Sequence, residues 1–473
     1  MINLFKRNKN KEGEKIETVH PFYYLLIILI IVLIVSNIIP SGQYERFIKD
    51  GRTIVDPTTF KFIGKTHVGF VDFMQSFYFG FKAIAGLVAL ILFCGGAFGI
   101  ANEINLLENL LKAIYKRVKH FNFTLFVYLL MLIFGLFTSF TGFYDLICIV
   151  FIPIVVPLTL ALGYDVLTGV AILMVSSCIG HGTAMASPFF TAIAHTIAEL
   201  PIFSALWYRG LSFVVLLIPA TLYIVKYANG VKNNPSKSLL YGMDLGYEAL
   251  DEDVEVKMSP ALKRAAVPFV GSFIFLIYGS VKLNFGYADM TGTFVAMGFL
   301  TALAYGMSLN DYCKYLAKGM TVMFIPTMVM IYARAILYLL EQSNTIDTII
   351  MFFGNFISGG SGYLSATMMF VVQSLINLII PSGSGQALVT MPMIIPLADM
   401  ANIPRQVACL ASQFGDGFSN FIWPTCGSLL AILAIAKVPY TKWVKFFAPL
   451  FLIITLSSFA LIWIAIAIGL GPF

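Results

Sequence analysis

Pro153-Ile154-Val155-Val156-Pro157-Leu158, in the first half of the chain, is written again in the second as Pro392-Met393-Ile394-Ile395-Pro396-Leu397. Each copy is followed by a glycine-flanked polar step inside apolar sequence. The first is Ile179-Gly180-His181-Gly182, closing at Pro188; the second is Phe414-Gly415-Asp416-Gly417, closing at Pro424. Each copy is also preceded by a break, at Thr138-Ser139-Phe140-Thr141-Gly142 and at Pro381-Ser382-Gly383-Ser384-Gly385. Glycine and proline interruptions at matching places in two hydrophobic halves point to the binding region of a secondary transporter.

Composition supports that class. The chain is 59% hydrophobic and 11% charged, whereas a soluble domain carries about 25% charged residues. Several apolar runs reach the roughly 20 residues that cross a bilayer. The net charge of +6 sits mostly in loops, so it reads as topology information and not as nucleic-acid affinity. The six cysteines stand singly in apolar segments, without a CxxC pair, and read as free packed thiols. The basic start followed by 23–39 reads as a retained span and not as a cleaved signal. P-loop, HExxH, GxSxG and metal-spaced His/Cys patterns are missing, so a membrane enzyme is disfavoured and an ion or exchange gradient is the expected energy source.

The expected architecture is an all-α polytopic membrane protein of about nine full spans plus two re-entrant hairpins, in two inverted repeats that each hold a discontinuous helix. A cytoplasmic tail, 1–20, precedes the first repeat, 21–228. A polar, acidic cytoplasmic linker, 229–261, and a connecting span, 262–290, lead to the second repeat, 291–473. The connecting span is the odd crossing that turns the second repeat over. The hairpins are expected at 121–161 and 362–400, the helix breaks at the two glycine-flanked steps, an interfacial helix at 102–119, and a span at 318–341. Lysine and arginine in the loops near 112–119 and 437–445 place the N-terminus and those loops in the cytoplasm, with the chain in the cell membrane. The loop 41–77, with Arg46, Lys49, Arg52, Lys61 and Lys65, is an exception to that charge rule.

Asp416 leads the candidate site. A carboxylate at that depth costs about 2.5–3.5 kcal/mol or more unless it is paired or hydrated. It can hold Na⁺, a proton or a substrate ammonium with freed carbonyls, or it can cap a half-helix. His181, its counterpart, is either a proton carrier or carboxylate ligand, or a packed histidine. Ser187, Ser419 and Asn420 surround these breaks and suit a carboxylate at a helix N-terminus. The tip Ser382-Gly383-Ser384-Gly385-Gln386 lets backbone N–H groups approach an anion. The other tip holds Thr141, Gly142 and Asp145, the last either a contact for a substrate amine or half of a structural pair. Arg334 either snorkels to the headgroups or pairs with an acid or a substrate carboxylate. No organic cofactor is expected. The coupling ion, Na⁺ or H⁺, is placed at Asp416, Asn420 and Ser384.

Ile380-Pro381-Ser382-Gly383-Ser384-Gly385-Gln386-Ala387, Gln413-Phe414-Gly415-Asp416-Gly417-Phe418-Ser419-Asn420 and Ala436-Lys437-Val438-Pro439-Tyr440 resemble the YfcC-type branch of the C4-dicarboxylate anaerobic carrier family, within the ion-transporter superfamily. Ala333-Arg334-Ala335-Ile336 and Thr345-Ile346-Asp347-Thr348-Ile349 are similar to it as well. The resemblance implies an inverted-repeat carrier with hairpins, a homodimer, elevator-like motion, and a small-molecule substrate. For this branch it implies amino acids, including arginine/ornithine exchange; for the wider family, dicarboxylates. The first half departs from the pattern: Phe143-Tyr144-Asp145-Leu146 stands where relatives tend to carry consecutive glutamates, and Ser187 where they carry asparagine. Two intramembrane acids, Asp145 and Asp416, against one arginine favour a ligand that brings positive charge. Within transport the alternative is an ion-coupled C4-dicarboxylate carrier, and an ion channel is the alternative class.

Overall fold

A backbone in hydrocarbon must satisfy its polar groups within its own segment, and this chain does so almost entirely with helices. The computed structural model describes residues 21–471 apart from 50, 51, 57, 119, 188, 189, 203, 248–257, 284, 355, 356 and 358–360. The tail 1–20, the acidic core of the linker at 251–255, and Pro188 lie outside the described residues. In chain order the helices are α1 (Pro21–Ile38), α2 (Phe70–Glu103), α3 (Leu106–Val118), α4 (Phe123–Thr141), α5 (Tyr144–Ala161), α6 (Val166–Thr183), α7 (Phe190–Ile197), α8 (Leu206–Asn233) and α9 (Pro260–Lys282). Then come α10 (Tyr287–Tyr305), α11 (Leu309–Val322), α12 (Phe324–Gln342), α13 (Ile346–Gly354), α14 (Gly362–Asn377), α15 (Gly383–Met400), α16 (Arg405–Ser419), α17 (Gly427–Ile435) and α18 (Tyr440–Ala467). Among the described residues, α2, α4, α5, α6, α8, α12 and α18 are each long and apolar enough to cross a membrane.

Side-chain caps fix several starts. Asn122 Oδ1 accepts from Leu125 N at 3.1 Å, Asp165 Oδ1 from Thr168 N at 2.9 Å, and Ser308 Oγ from Asp311 N at 3.1 Å. The paired prolines lie inside α5 and α15, both of which run unbroken for 18 residues. At both predicted breaks one helix ends and the next begins. Gly142, with φ 76°, turns α4 into α5, and Leu378–Ser382 joins α14 to α15.

The structure corrects the expected map in four places. First, the polar loop is not featureless and the fold is not purely helical. Strands β1 (Gly42–Gln43), β2 (Arg46–Lys49), β3 (Arg52–Val55) and β4 (Lys61–Phe62) form two small antiparallel pairs, β1 with β4 and β2 with β3. Part of the loop's exceptional positive charge is neutralised locally. Arg46 pairs with Asp347 at 2.8 Å and Lys61 with Glu45 at 2.9 Å. Lys65 donates to the carbonyls of Ser36 and Ile39 at the end of α1. Second, α2 begins at Phe70 and so takes in the end of the expected loop, residues 70–77.

Third, the span expected at 318–341 is divided at Met323 between the amphipathic α11 and the apolar α12. Fourth, the two helix discontinuities are present, between α6 and α7 and between α16 and α17, but they begin after the glycine-flanked steps and not at them. Gly180–Gly182 are the last turns of α6, and Gly415–Gly417 lie within α16; the helices end only at Thr183 and Ser419. These glycines are contact surfaces. A Cβ on Gly180 would lie 2.2 Å from Gly135 O, and one on Gly415 would lie 2.3 Å from Phe370 O. A Cβ on Gly417 would lie 2.5 Å from Gly182 Cα, so α6 and α16 cross at these two residues. Sequence periodicity registers a glycine pair equally well as a break or as a crossing, and here packing decides.

The two halves meet along matched elements: α6 on α16, α7 on α15, α5 on α17, and α8 on α18. Tyr208 Oη donates to Leu461 O at 2.5 Å, and Tyr223 Oη to Phe446 O at 2.7 Å, tying α8 to α18. On the other side, α2 packs against α10, α11 and α12. The helical path of α2 is interrupted at Ile84 (φ −121°, ψ 17°), beside the cavity described below.

Candidate functional site

Both junctions line one cavity of about 360 Å³. Gly142, Tyr144 and Asp145 reach it from the first tip, and Ser382, Gly383 and Ser384 from the second. His181 comes from α6, Arg334 from α12, Tyr287 from α10, and Asn420, Thr425 and Ser428 from the segment joining α16 to α17. The first-turn N–H groups of α15 lie beside it; a helix leaves its first N–H groups without internal partners, which suits an anion.

Asp145 is 5% exposed and sits in the first turn of α5. Its Oδ1 accepts from Leu146 N at 2.9 Å, and the hydroxyls of Tyr287 and Ser428 face the same carboxylate. His181 donates from its ring to Gly142 O, packs against the Tyr144 ring at 4.6 Å, and leaves Nδ1 without a partner. The Tyr144 hydroxyl lies 3.5 Å from Cys426 Sγ, so the first tip touches the start of α17. Arg334 is half-buried and has no hydrogen bond or ion pair with a described residue. It therefore faces the cavity, and neither Asp145 nor Asp416 is its partner.

Asp416 lies behind the second tip and does not line this cavity. Its Oδ2 is 3.2 Å from where a Cβ on Gly383 would stand, so only glycine lets the tip backbone approach so closely. Both carboxylate oxygens lack a described partner, although the residue is wholly buried. Its main-chain oxygen takes three donors instead: Asn377 Nδ2 at 3.0 Å, Asn420 Nδ2 at 3.0 Å and Ser419 Oγ at 3.1 Å. Asn377 Oδ1 and Gln386 Oε1, both buried nearby, are also unpartnered. Gln386 Nε2 donates to Gln373 O at 2.8 Å, and Gln373 packs on Gly415. Four unpartnered oxygens, two of Asp416 and one each of Asn377 and Gln386, thus lie buried behind the tip.

Of the residues singled out in the sequence, Gly142, Asp145, His181, Arg334, Ser382, Gly383, Ser384 and Asn420 come together on the cavity. Gly385 faces a second cavity instead. Thr141, Ser187, Gln386 and Ser419 stand outside both. Thr141 Oγ1 donates to Phe137 O at 2.8 Å and accepts from Phe143 N at 3.3 Å, which closes its own turn. Ser419 Oγ donates to Gly415 O at 2.7 Å. His195, in α7, is buried, with Nε2 3.3 Å from Gln406 Nε2.

Sequence reasoning missed Tyr287, Ser428, Asn377 and Arg209. Asn377 and Gln373 had a usable signal, as amides in an apolar span. Tyr287 lies on a helix outside the duplicated pattern and had none. Arg209, near the start of α8, is fully buried, with Nη1 donating to Thr183 O at 3.1 Å.

A profile of the C4-dicarboxylate anaerobic carriers matches residues 20–467. A relative from Escherichia coli K12, YfcC, provisionally described as a basic amino acid antiporter, is 28% identical over 466 residues. That alignment covers 90% of this chain and 92% of that protein. An uncharacterised protein of Haemophilus influenzae Rd is 27% identical over 84% of this chain and 79% of its own length. Among solved structures, Neisseria gonorrhoeae MtrF, presented with a class of antimetabolite efflux pumps, is 16% identical with a TM-score of 0.44, covering 96% of each chain. That last likeness is too low to carry an argument. The family match takes in almost every helix described above, and the chain belongs to the C4-dicarboxylate anaerobic carrier family, a family of membrane transporters.

Proposed function

We propose that the chain is a secondary active transporter of a small carboxylate-bearing metabolite, foremost an amino acid such as arginine or ornithine. It works by alternating access, as an antiporter or an ion-coupled symporter. The observation that carries this reading is the cavity between the tips. It holds one carboxylate, Asp145, one guanidinium without a hydrogen bond to a described residue, Arg334, and the N-terminus of α15. A ligand with both an ammonium and a carboxylate matches that set, and the description of YfcC as a basic amino acid antiporter points the same way.

In this reading the carboxylate sits against Arg334 and the N–H groups of residues 383–385, and the amine against Asp145. His181 shapes the polarity opposite. Asp416, Ser384 and Asn420 take the coupling cation, Na⁺ or H⁺. A buried carboxylate without a partner is costly, so cation binding behind the tip and movement of the tip become one event. The halves 21–228 and 291–473 act as inverted repeats with re-entrant tips, in a homodimer with elevator-type motion, and the N-terminus faces the cytoplasm of a cell-membrane protein. A C4-dicarboxylate carrier is the second reading, favoured by Arg334 and the helix N-terminus on the same wall.

Exchange in proteoliposomes tests the proposal. Saturable, trans-stimulated arginine or ornithine flux is expected. Asp416→Asn is expected to abolish coupled flux while its melting temperature stays within a few degrees of the parent. Wild-type flux in that variant removes Asp416 from the mechanism. A current linear in voltage, with no saturation, would make the chain a channel. Succinate flux with no amino acid flux would select the second reading.

A further inference from the structure

A second cavity, of about 340 Å³, lies between the strand-bearing loop and the second tip. Its size is within the roughly 300–1,000 Å³ of small-molecule sites. Gly42 and Arg46 of the loop form one wall, Arg334 and Glu341 of α12 another, and Ser382 and Gly385 of the tip a third. The loop wall is pinned to the helices. Gly42 N donates to Asn344 O at 2.9 Å, Ser41 Oγ to Ser343 O at 2.8 Å, and Thr348 Oγ1 to Pro40 O at 2.8 Å. The cavity is a built part of the fold.

Its four charges fall into two sets. Arg46 and Asp347 satisfy each other: Nη2 is 2.8 Å from Oδ1, Arg46 Nη1 also donates to Tyr44 O at 3.2 Å, and Asp347 Oδ2 also accepts Tyr44 N at 3.0 Å. Arg334 and Glu341 make no hydrogen bond or contact ion pair with a described residue; each feels the other's opposite charge across the cavity. They stand seven positions apart on α12, two turns or about 10 Å along the axis. A cation and an anion that attract one another without touching therefore line a single cavity, on one helix and two turns apart.

We infer that this outer cavity is an entry subsite for a zwitterion, which places its carboxylate on Arg334 and its ammonium on Glu341. The inference rests on the reading of the chain as a carrier of carboxylate-bearing solutes, and it narrows the class to amino acids. A dicarboxylate would set its second carboxylate against Glu341, and Arg46 is already committed to Asp347. The geometry also supplies a hand-over. Arg334 and Ser382 belong to the walls of both cavities, so a carboxylate held on Arg334 need not leave it while the tip shifts aside. The loop that broke the charge rule becomes the wall that completes the subsite.

Equilibrium binding of labelled L-arginine and of succinate to the purified full chain tests this. Glu341 is exposed, so Glu341→Gln and Glu341→Asp should both fold, and their melting curves check that. Glu341→Gln is expected to weaken L-arginine about fivefold, the scale of one exposed ion pair, and to leave succinate unchanged or tighter. Glu341→Asp is expected to recover part of the loss. In proteoliposomes the KM should rise only for L-arginine presented on the face that carries the strand loop. Equal L-arginine affinity in wild type and Glu341→Gln overturns the subsite, as does a wild type that binds no L-arginine. Absence of wild-type transport beside a Glu341-sensitive affinity overturns the carrier reading and leaves the subsite standing.

Discussion

The two helix pairs that carry the paired prolines place their acids differently. In the first, the acid is at the tip: Asp145 opens α5 and lines the cavity, and the helix behind, α6, presents His181 to the same space. In the second, the tip is Ser382-Gly383-Ser384-Gly385, without a charge, and the acid has moved to the helix behind it. There Asp416 is shut off from the cavity by the backbone of Gly383. The scaffold is common to both. Gly180 packs on the carbonyl of Gly135 in α4 just as Gly415 packs on that of Phe370 in α14. One framework thus keeps two different polar sites, one open to a ligand and one closed behind a tip. In the proposed mechanism these are the substrate site and the ion site.

The strongest challenge to this comparison is an exchange of the two residues, His181→Asp with Asp416→His. If the halves were chemically equivalent, the double variant would transport. The geometry predicts loss of all measurable exchange. The carboxylate would be buried at 181 against Gly142 O, an acceptor facing an acceptor, and position 416 would lose the acid proposed to take the coupling cation; a buried charge without a partner costs several kcal/mol. Exchange within tenfold of wild type would sink the division of roles. Next in size is the shared crossing. Gly417→Ala puts a methyl 2.5 Å from Gly182 Cα, whereas Gly86→Ala meets its first neighbour, Tyr287 Cβ, at 3.4 Å. The first is expected to cost about 1–3 kcal/mol of stability and the second much less, read from thermal melts followed by fluorescence. Equal melting temperatures would mean that α6 and α16 do not meet there.

Much of this arrangement was legible in the chain, because duplication and apolar run length are properties of sequence. Helices end and restart at Gly142 and beside Pro381, where glycine and proline marked them, and the cavity gathers both tips, His181 and Arg334. What escaped has a common cause. A glycine that admits a crossing helix has the same sequence signature as one that ends a helix, so the breaks were placed several residues early. Depth behind a tip is a tertiary property, so the sequence left Asp416 open between a cation ligand, a substrate-amine ligand and a helix cap. Tyr287 reaches the cavity from a helix outside the duplicated pattern, and Arg209 reads as a loop charge until its burial is seen. The strands of 42–62 are two to four residues long, too short for a period-two pattern to stand out.

The smallest expected effect separates the two tips most finely. Both carry a hydroxyl beside a glycine, Thr141 before Gly142 and Ser384 after Gly383. Thr141 spends its hydroxyl within its own turn, on Phe137 O and Phe143 N. Ser384 lines the cavity and has no hydrogen bond to a described residue. Losing one hydrogen bond costs about 1 kcal/mol in either place, but the loss should register in different measurements. Ser384→Ala is expected to raise the KM for exchange about fivefold at an unchanged melting temperature, since that factor is what 1 kcal/mol of ligand binding supplies. Thr141→Ala is expected to lower the melting temperature and leave the KM alone. A reversed result would make the first tip the ligand-binding one, and it would return the Ser-Gly repeat of the second to plain turn chemistry.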